Sequence, residues 1–453
     1  MGEQKKKGQS RSQKAWVVTV NMGYGHERAA SALRSIATKG EIIVANDYKG
    51  IPKSDDAIWK NSKKFYETIS RLKPVPGVGD LAFEVMDKLQ EIKPFYPDRD
   101  LSKPTVQLKQ MYRLIRKKKY GKHLIDMLRD RPLPFVTPFF LTAFFAEEHG
   151  YPGDIYVVVC DADISRTWAA LDPHKSRIKY FAPNGRVVER LQQYGVPKKN
   201  IYLTGFPMPK ENIGGAKAPQ AKKDLMSRLH NLDPNHYFIN RYKKTISDHL
   251  GSTRHTPKSH GPLTLTFAVG GAGAQKKLGM VIAKSLHVAM QRKKIRLQLV
   301  AGARQEVAAF FQKELRSAGY SKLLKSGGIK ILVEKTRREY FDSFPEIIAS
   351  TDILWTKPSE LSFYTGLGVP IIMAPPIGSQ EEFNRYWLTQ VGGGINQLDP
   401  RYTAEWLFDW IESGGLARMA WNGFTEAPTH GAYRIEEVIT GEDVELRKLP
   451  FIV

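Results

Sequence analysis

The chain of 453 residues has one cysteine, Cys160. That excludes an internal disulfide and any cysteine-built zinc site, and it suits a reducing compartment. A membrane span is also lacking: the longest mostly apolar stretch, residues 135–146, falls short of the roughly 20 residues a helix needs to cross a bilayer. Acidic residues are scarce, 46 against 69 lysines and arginines, which leaves a formal net charge of +23. The basic start, MGEQKKKGQSRSQK, reads as a solvated tail rather than a secretory signal, and Lys6 stands where a myristoylation motif wants Ser or Thr. No segment matches the Walker A pattern. Neither glycine turn completes the dinucleotide fingerprint, because Arg28 and Lys276 occupy the place of the third glycine.

What is present is ordinary globular composition, 42% hydrophobic and 25% charged, in a chain long enough for two domains. The charge excess implies a polyanionic partner: nucleic acid, an anionic membrane or a phosphorylated substrate. Near-continuous apolar runs alternate with amphipathic stretches, the pattern of parallel sheets flanked by helices. In the first half the strands are AWVVTV (15–20), EIIVAN (41–46), IYVVVC (155–160), residues 178–182 and IYLTG (201–205). The periodicity of HERAASALRSIA predicts a helix with Ala29, Ala30, Leu33, Ile36 and Ala37 on one face. A second strand–glycine turn–helix series opens at LTLTFAVGG, near residue 262. The expected organisation is a basic tail over 1–14 and an N-terminal Rossmann-like domain over 15–208, with a basic helical insertion at about 63–134. A linker with a helical insertion follows over 209–261, then a C-terminal Rossmann-like domain over 262–428. Residues 429–453 are expected to return to the first domain.

Three stretches carry chemistry. In NMGYGH, Gly23 and Gly25 let the backbone approach a ligand, and the helix that follows offers free N–H groups to phosphate or an oxyanion. His26 sits on that turn, where an imidazole suits general-base work near neutral pH. In AVGGAGAQ, the Gly270, Gly271 and Gly273 backbone can cradle a pyrophosphate, with Gln275 at the helix start. The third stretch, residues 356–394, places Ser359 and Glu360 on a polar turn and ends a proline loop in Gly378, Ser379, Gln380 and Glu381. Carboxylates and amides there suit sugar hydroxyls. Asp161 and Asp163 form a D-x-D at a strand end, a pattern that elsewhere holds a divalent metal; the reading preferred is without metal, since two glycine turns can neutralise a diphosphate. The segment 108–128 mixes apolar residues with Lys109, Arg113, Arg116, Lys117, Lys118 and Lys119, a composition suited to an anionic membrane surface.

Taken in order, GYGHERAASAL, CDADISRTW, YGVPKKNIYLTGFPM, FAVGGAGAQ, FPEIIASTDILWTKPSE and GVPIIMAPPIGSQEEFNRYWLTQVGGG resemble the family-28-like glycosyltransferases related to monogalactosyldiacylglycerol synthase and the bacterial processive diacylglycerol glucosyltransferases. More distantly, they resemble the peptidoglycan lipid-linked N-acetylglucosaminyltransferase. The resemblance spans most of the chain outside the insertions and tails. It implies a GT-B fold, two Rossmann-like domains facing a central cleft, and an inverting transfer that needs no metal. The acceptor would bind the N-terminal domain and a UDP-sugar, as co-substrate, the C-terminal one. His26 falls on the family's cleft histidine and Asp161 on its aspartate. Gly271 and Gly273 fall on the diphosphate loop, and Gln380 and Glu381 on the segment approaching the donor sugar. Pro358, Ser359 and Glu360 replace the family's paired glycines, and Ser379 interrupts its G-Q-E, so this is a divergent relative.

The reading expected is a hexosyltransferase acting on a diacylglycerol-like lipid acceptor, cytoplasmic and peripherally associated with the membrane, with no cofactor. His26 and Asp161 both remain candidates for the base. An inactive GT-B protein that binds nucleotide sugar stands as the alternative, and a basic nucleic-acid-binding protein as the second, for which no recognised motif is present.

Overall fold

The computed structural model describes residues 14–61, 91–251, 261–270, 273, 275–376, 378–446 and 449. The first thirteen residues of the tail, the opening part of the insertion and Gly271 lie outside that set.

Two six-stranded, all-parallel sheets organise the chain. The first contains β1 (Ala15–Thr19), β2 (Ala37–Val44), β3 (Phe135–Thr137), β4 (Ile155–Val158), β5 (Lys179–Ala182) and β6 (Ile201–Leu203), in the order β2-β1-β3-β4-β5-β6. The second contains β7 (Thr264–Ala268), β8 (Arg296–Gly302), β9 (Ile329–Val333), β10 (Ile353–Thr356), β11 (Ile371–Met373) and β12 (Gly394–Asn396), ordered β12-β11-β10-β7-β8-β9. Central strands such as β4 and β10 are buried along their whole length, because helices cover both faces. This pair of Rossmann-like sheets is the GT-B architecture. In each sheet the strand order reverses beside the first strand, at β1/β3 and at β7/β10, and crevices for ligands open at such switch points.

Several local expectations are corrected. The helix after β1 is Tyr24–Ala32 and ends five residues early. Ala37 already belongs to β2, where it pairs with Ala15, so Ile36 and Ala37 are buried by the sheet rather than by a helical face. Residues 360–367 form a 3-10 helix. Ser379, Gln380 and Glu381 open the helix Ser379–Gln390 instead of closing a loop.

The basic stretch is the crossover from β2 to β3. Its helices Val106–Lys118 and Lys122–Arg129 bury Leu108, Tyr112, Ile115, Leu124, Ile125 and Leu128 in the first domain's core. The helix Pro219–Leu232 packs with the second domain: Arg228 is buried and donates to the carbonyls of Thr351 (2.8 Å), Leu367 (3.0 Å) and Gly368 (3.0 Å). The C-terminal helix Gly431–Thr440 lies against the segment leaving β6; a Cβ on Gly431 would meet the Phe206 carbonyl oxygen at 2.2 Å. One apolar cluster runs through both domains and includes Ala29, Phe206, Phe344, Tyr364 and Ile435. No helix among the described residues is long and apolar enough to cross a membrane.

Candidate active site

The carboxyl ends of β1 and β4 face those of β7 and β10 across the domain boundary, and a polar cleft of about 170 Å³ lies between them. The first domain supplies Gly23, Tyr24, Gly25, His26, Arg28 and Asp161; the second supplies Gly270, Arg304, Arg337, Lys357, Glu360, Gln380 and Glu381. Of the residues singled out in the sequence, His26, Asp161, Gly23, Gly25, Gly270, Glu360, Gln380 and Glu381 all meet here. Gly273 and Gln275 do not line it. Gln275, in the left-handed region at φ 64°, begins the helix Lys276–Ser285 and donates to the Pro375 carbonyl at 3.0 Å. Gly271 is outside the described residues.

At two points a side chain packs close against a glycine. A Cβ on Gly25 would stand 3.1 Å from Glu360 Oε2, and one on Gly270 2.9 Å from Lys357 Cε. The first lets a carboxylate of the second domain approach the start of the helix Tyr24–Ala32. The second lets the lysine stem lie over the glycine turn, and its ammonium pairs with Glu381.

His26 is half-buried, with its ring 5.0 Å from Phe139 and 6.3 Å from Trp168. Burial pushes its pKa down to about 4, against smaller opposing effects of the Pro138 carbonyl and Glu360, so the ring is neutral at pH 7. Asp161 moves the other way, up to about 6. Burial is the main cause, the Asn384 hydrogen bond opposes it, and the charges of Glu360 and Glu381 add to it more than Lys357 relieves. At neutral pH both groups are unprotonated, and Asp161 is the stronger base.

Asp163 has a different part from Asp161. Its side chain is fully buried, held by Arg190 Nε (2.8 Å) and Nη2 (2.9 Å), by Arg186 Nε (2.7 Å) and by the Ile164 N–H (2.8 Å). A carboxylate so occupied pins a loop, and the D-x-D spacing does not become a shared pair of ligands. No group of three or more His, Cys, Asp or Glu placed to hold a metal occurs among the described residues.

A second cavity of about 380 Å³ is lined mainly by the first domain, with Gln380 from the second at its edge. Its walls are largely apolar: Trp59, Met111, Leu114, Tyr120, Phe139, Phe140 and Trp168 contribute. It shares Met22, His26, Asp161 and Gln380 with the polar cleft. The helix that supplies Met111 and Leu114 also carries Lys109, Arg113, Arg116, Lys117 and Lys118 exposed, with Lys119 at its end. Of these, Arg116 is committed to Glu148 through two hydrogen bonds of 2.6 and 2.9 Å.

Sequence reasoning missed Arg304, Arg337, Lys357 and Asn384, and took Arg28 only as a failed glycine. Arg28 inserts from the first domain into aromatic rings of the second, its guanidinium 3.8 Å from the Phe344 ring centroid, and donates to Tyr340 Oη at 3.1 Å. One local signal existed, a lysine directly after the β10 strand in WTKPSE, and it went unused.

A family model described as a domain of unknown function (DUF6938) matches residues 235–433, less than half of the chain. No curated protein matches the sequence. The fold is similar to that of the UDP-GlcNAc 2-epimerase from Neisseria meningitidis, solved bound to UDP-GlcNAc (12% identity, 95% of this chain and 100% of that one, TM-score 0.46). It is similar also to MurG from Acinetobacter baumannii (11% identity, 95% and 100%, TM-score 0.44). A third likeness is to a glycotransferase of kitacinnamycin (13% identity, 95% and 98%, TM-score 0.46). At these identities and scores the likenesses carry no substrate or reaction across to this chain.

Proposed function

We propose that the protein is a metal-independent, inverting glycosyltransferase, a divergent relative of the monogalactosyldiacylglycerol synthase group, that moves a hexose from a UDP-sugar to a lipid hydroxyl at a membrane surface. One observation carries this reading: a polar, cation-bearing cleft between the domains and an apolar cavity in the first domain meet at His26 and Asp161. A nucleotide sugar suits the former and an apolar alcohol the latter, so the acceptor oxygen and the anomeric carbon would come together at two unprotonated bases.

In this mechanism the acceptor hydroxyl attacks the anomeric carbon in line and its proton passes to Asp161, with neutral His26 beside it. The diphosphate leaves from the opposite face. Charge developing on it is met by the backbone around Gly270 and by Lys357, whose stem lies across that turn. Fixed donors and an ammonium at that point supply what a divalent cation supplies in other transferases. The exposed basic residues of the helix Val106–Lys118 stand on the element that walls the apolar cavity, an arrangement that suits a lipid drawn from an anionic surface.

The test is Leu114→Glu in the cavity wall, assayed with UDP-hexoses and mixed membrane lipids. The variant should lose lipid-dependent transfer while UDP affinity stays within about twofold. Normal transfer by this variant would remove the cavity as the acceptor site. The anomeric configuration of the product reports inversion directly.

A further inference from the structure

We propose that Asn384, in the second domain, is the positioning residue for Asp161 in the first, so that the base is oriented only when the two domains meet. The proposal rests on the reading of Asp161 as the acceptor-activating group.

Asn384 is fully buried in the helix Ser379–Gln390, one turn beyond Gln380 and Glu381. Its Nδ2 donates to Asp161 Oδ1 at 3.0 Å, and its Oδ1 accepts from the Ala162 N–H at 2.7 Å. One amide therefore grips the same turn twice, once at the carboxylate and once at the adjoining main chain. The backbone N–H can only donate, which fixes the amide oxygen towards Ala162 and the NH₂ towards Asp161.

The rest of the turn is held from within the first domain. Asn184 Nδ2 donates to the Ala162 carbonyl at 3.0 Å, and Asp163 is clamped by Arg186 and Arg190. Among the described residues, Asn384 is the hydrogen-bond donor to the Asp161 carboxylate, and Oδ2 remains to take a proton. The charged and titratable groups around Asp161 are Cys160 beside it, His26 in the first domain, and Glu360, Glu381 and Lys357 in the second. Two of these are carboxylates that oppose a charge on Asp161. A neutral donor from the facing domain offsets them without adding a counter-charge that would hold the proton-accepting oxygen.

A mere domain staple would need only the bond to Ala162, and Asn384→Asp separates the two roles. It keeps an acceptor for the Ala162 N–H but exchanges the donor for a carboxylate. The experiment follows the Asp161 carboxyl by difference infrared titration of the full chain, with its band assigned by loss in Asp161→Asn, alongside the pH profile of kcat/KM for UDP release. Asn384→Ala should move the carboxyl titration and the acid limb together towards higher pH by about one unit, and lower kcat by about tenfold or more. Asn384→Asp should move both further. UDP affinity should stay within about twofold in either variant. An unmoved Asp161 titration in Asn384→Asp would overturn the proposal and leave a staple. Wild-type turnover in Asp161→Asn would instead remove the base reading itself, whatever the Asn384 variants show.

Discussion

Arg28 Nε lies 3.1 Å from Glu360 Oε1, with the two side chains 3% and 10% exposed, and the pair joins the first domain to the second. Aromatic rings of Tyr340, Phe341, Phe344 and Tyr364 surround the guanidinium, so the charge is desolvated and leans on this one carboxylate and on π faces. The same carboxylate reaches the start of the helix Tyr24–Ala32 at Gly25. Glu360, read from sequence as a carboxylate for sugar hydroxyls, is thus engaged in an ion pair across the domain boundary.

Removing either member of this pair should be costly. Arg28→Met or Glu360→Gln alone should lower unfolding stability by about 3–5 kcal/mol, because the survivor is left buried without its partner. The double variant should cost less than the sum of the singles. Urea unfolding of the three proteins checks this; strictly additive losses would mean that the contact is incidental.

The pH dependence of turnover separates the two candidate bases. A base acts in its unprotonated form, so activity falls as pH drops through its pKa. With Asp161 at about 6 and His26 at about 4, kcat/KM should fall off on the acid side near pH 6 if Asp161 accepts the proton. A profile level down to about pH 4 would transfer that role to His26.

Asp163 is predicted to be structural. Asp163→Asn should destabilise the fold by about 3 kcal/mol or more, since it leaves Arg190 buried without its counter-charge. Chelator should leave wild-type turnover unchanged. Activity that disappears with chelator and returns with a divalent cation would revive the paired-aspartate metal site.

Binding to vesicles should follow the basic helix residue by residue. On anionic vesicles at low salt, Lys109→Ala, Arg113→Ala and Lys117→Ala should each weaken binding by about 1 kcal/mol. Arg116→Ala should weaken it less, because Glu148 already holds that charge. Sedimentation with vesicles measures both. Equal losses at all four positions, or no binding by the wild type, would contradict the surface assignment.

The two-sheet architecture was legible because buried parallel strands leave near-continuous apolar runs, as in AWVVTV and IYVVVC, and because glycines mark the switch points. Eight of the chosen site residues converge for the same reason: strand ends in such sheets face one crevice. What stayed hidden depends on contacts between distant segments. Arg28 meets Glu360 across 332 positions and Asn384 meets Asp161 across 223, and local periodicity carries no trace of either. The fate of Asp163 was equally invisible, since its two arginines lie on the helix Gly185–Gln193, which the sequence marks only as amphipathic. The early end of the helix Tyr24–Ala32 was missed because Leu33, Ile36 and Ala37 continue a helical spacing, while the chain turns over 33–36 and Ala37 opens β2.

The most direct measurement of the central claim is release of UDP from a panel of UDP-hexoses, with chelator present and mixed membrane lipids as acceptor, for the wild type and Asp161→Asn. Lipid-dependent release is expected from the wild type, slowed about a hundredfold or more in Asp161→Asn, with UDP still bound by both. UDP binding without release from any donor would contradict a transferase and leave a nucleotide-sugar-binding protein built on the same cleft.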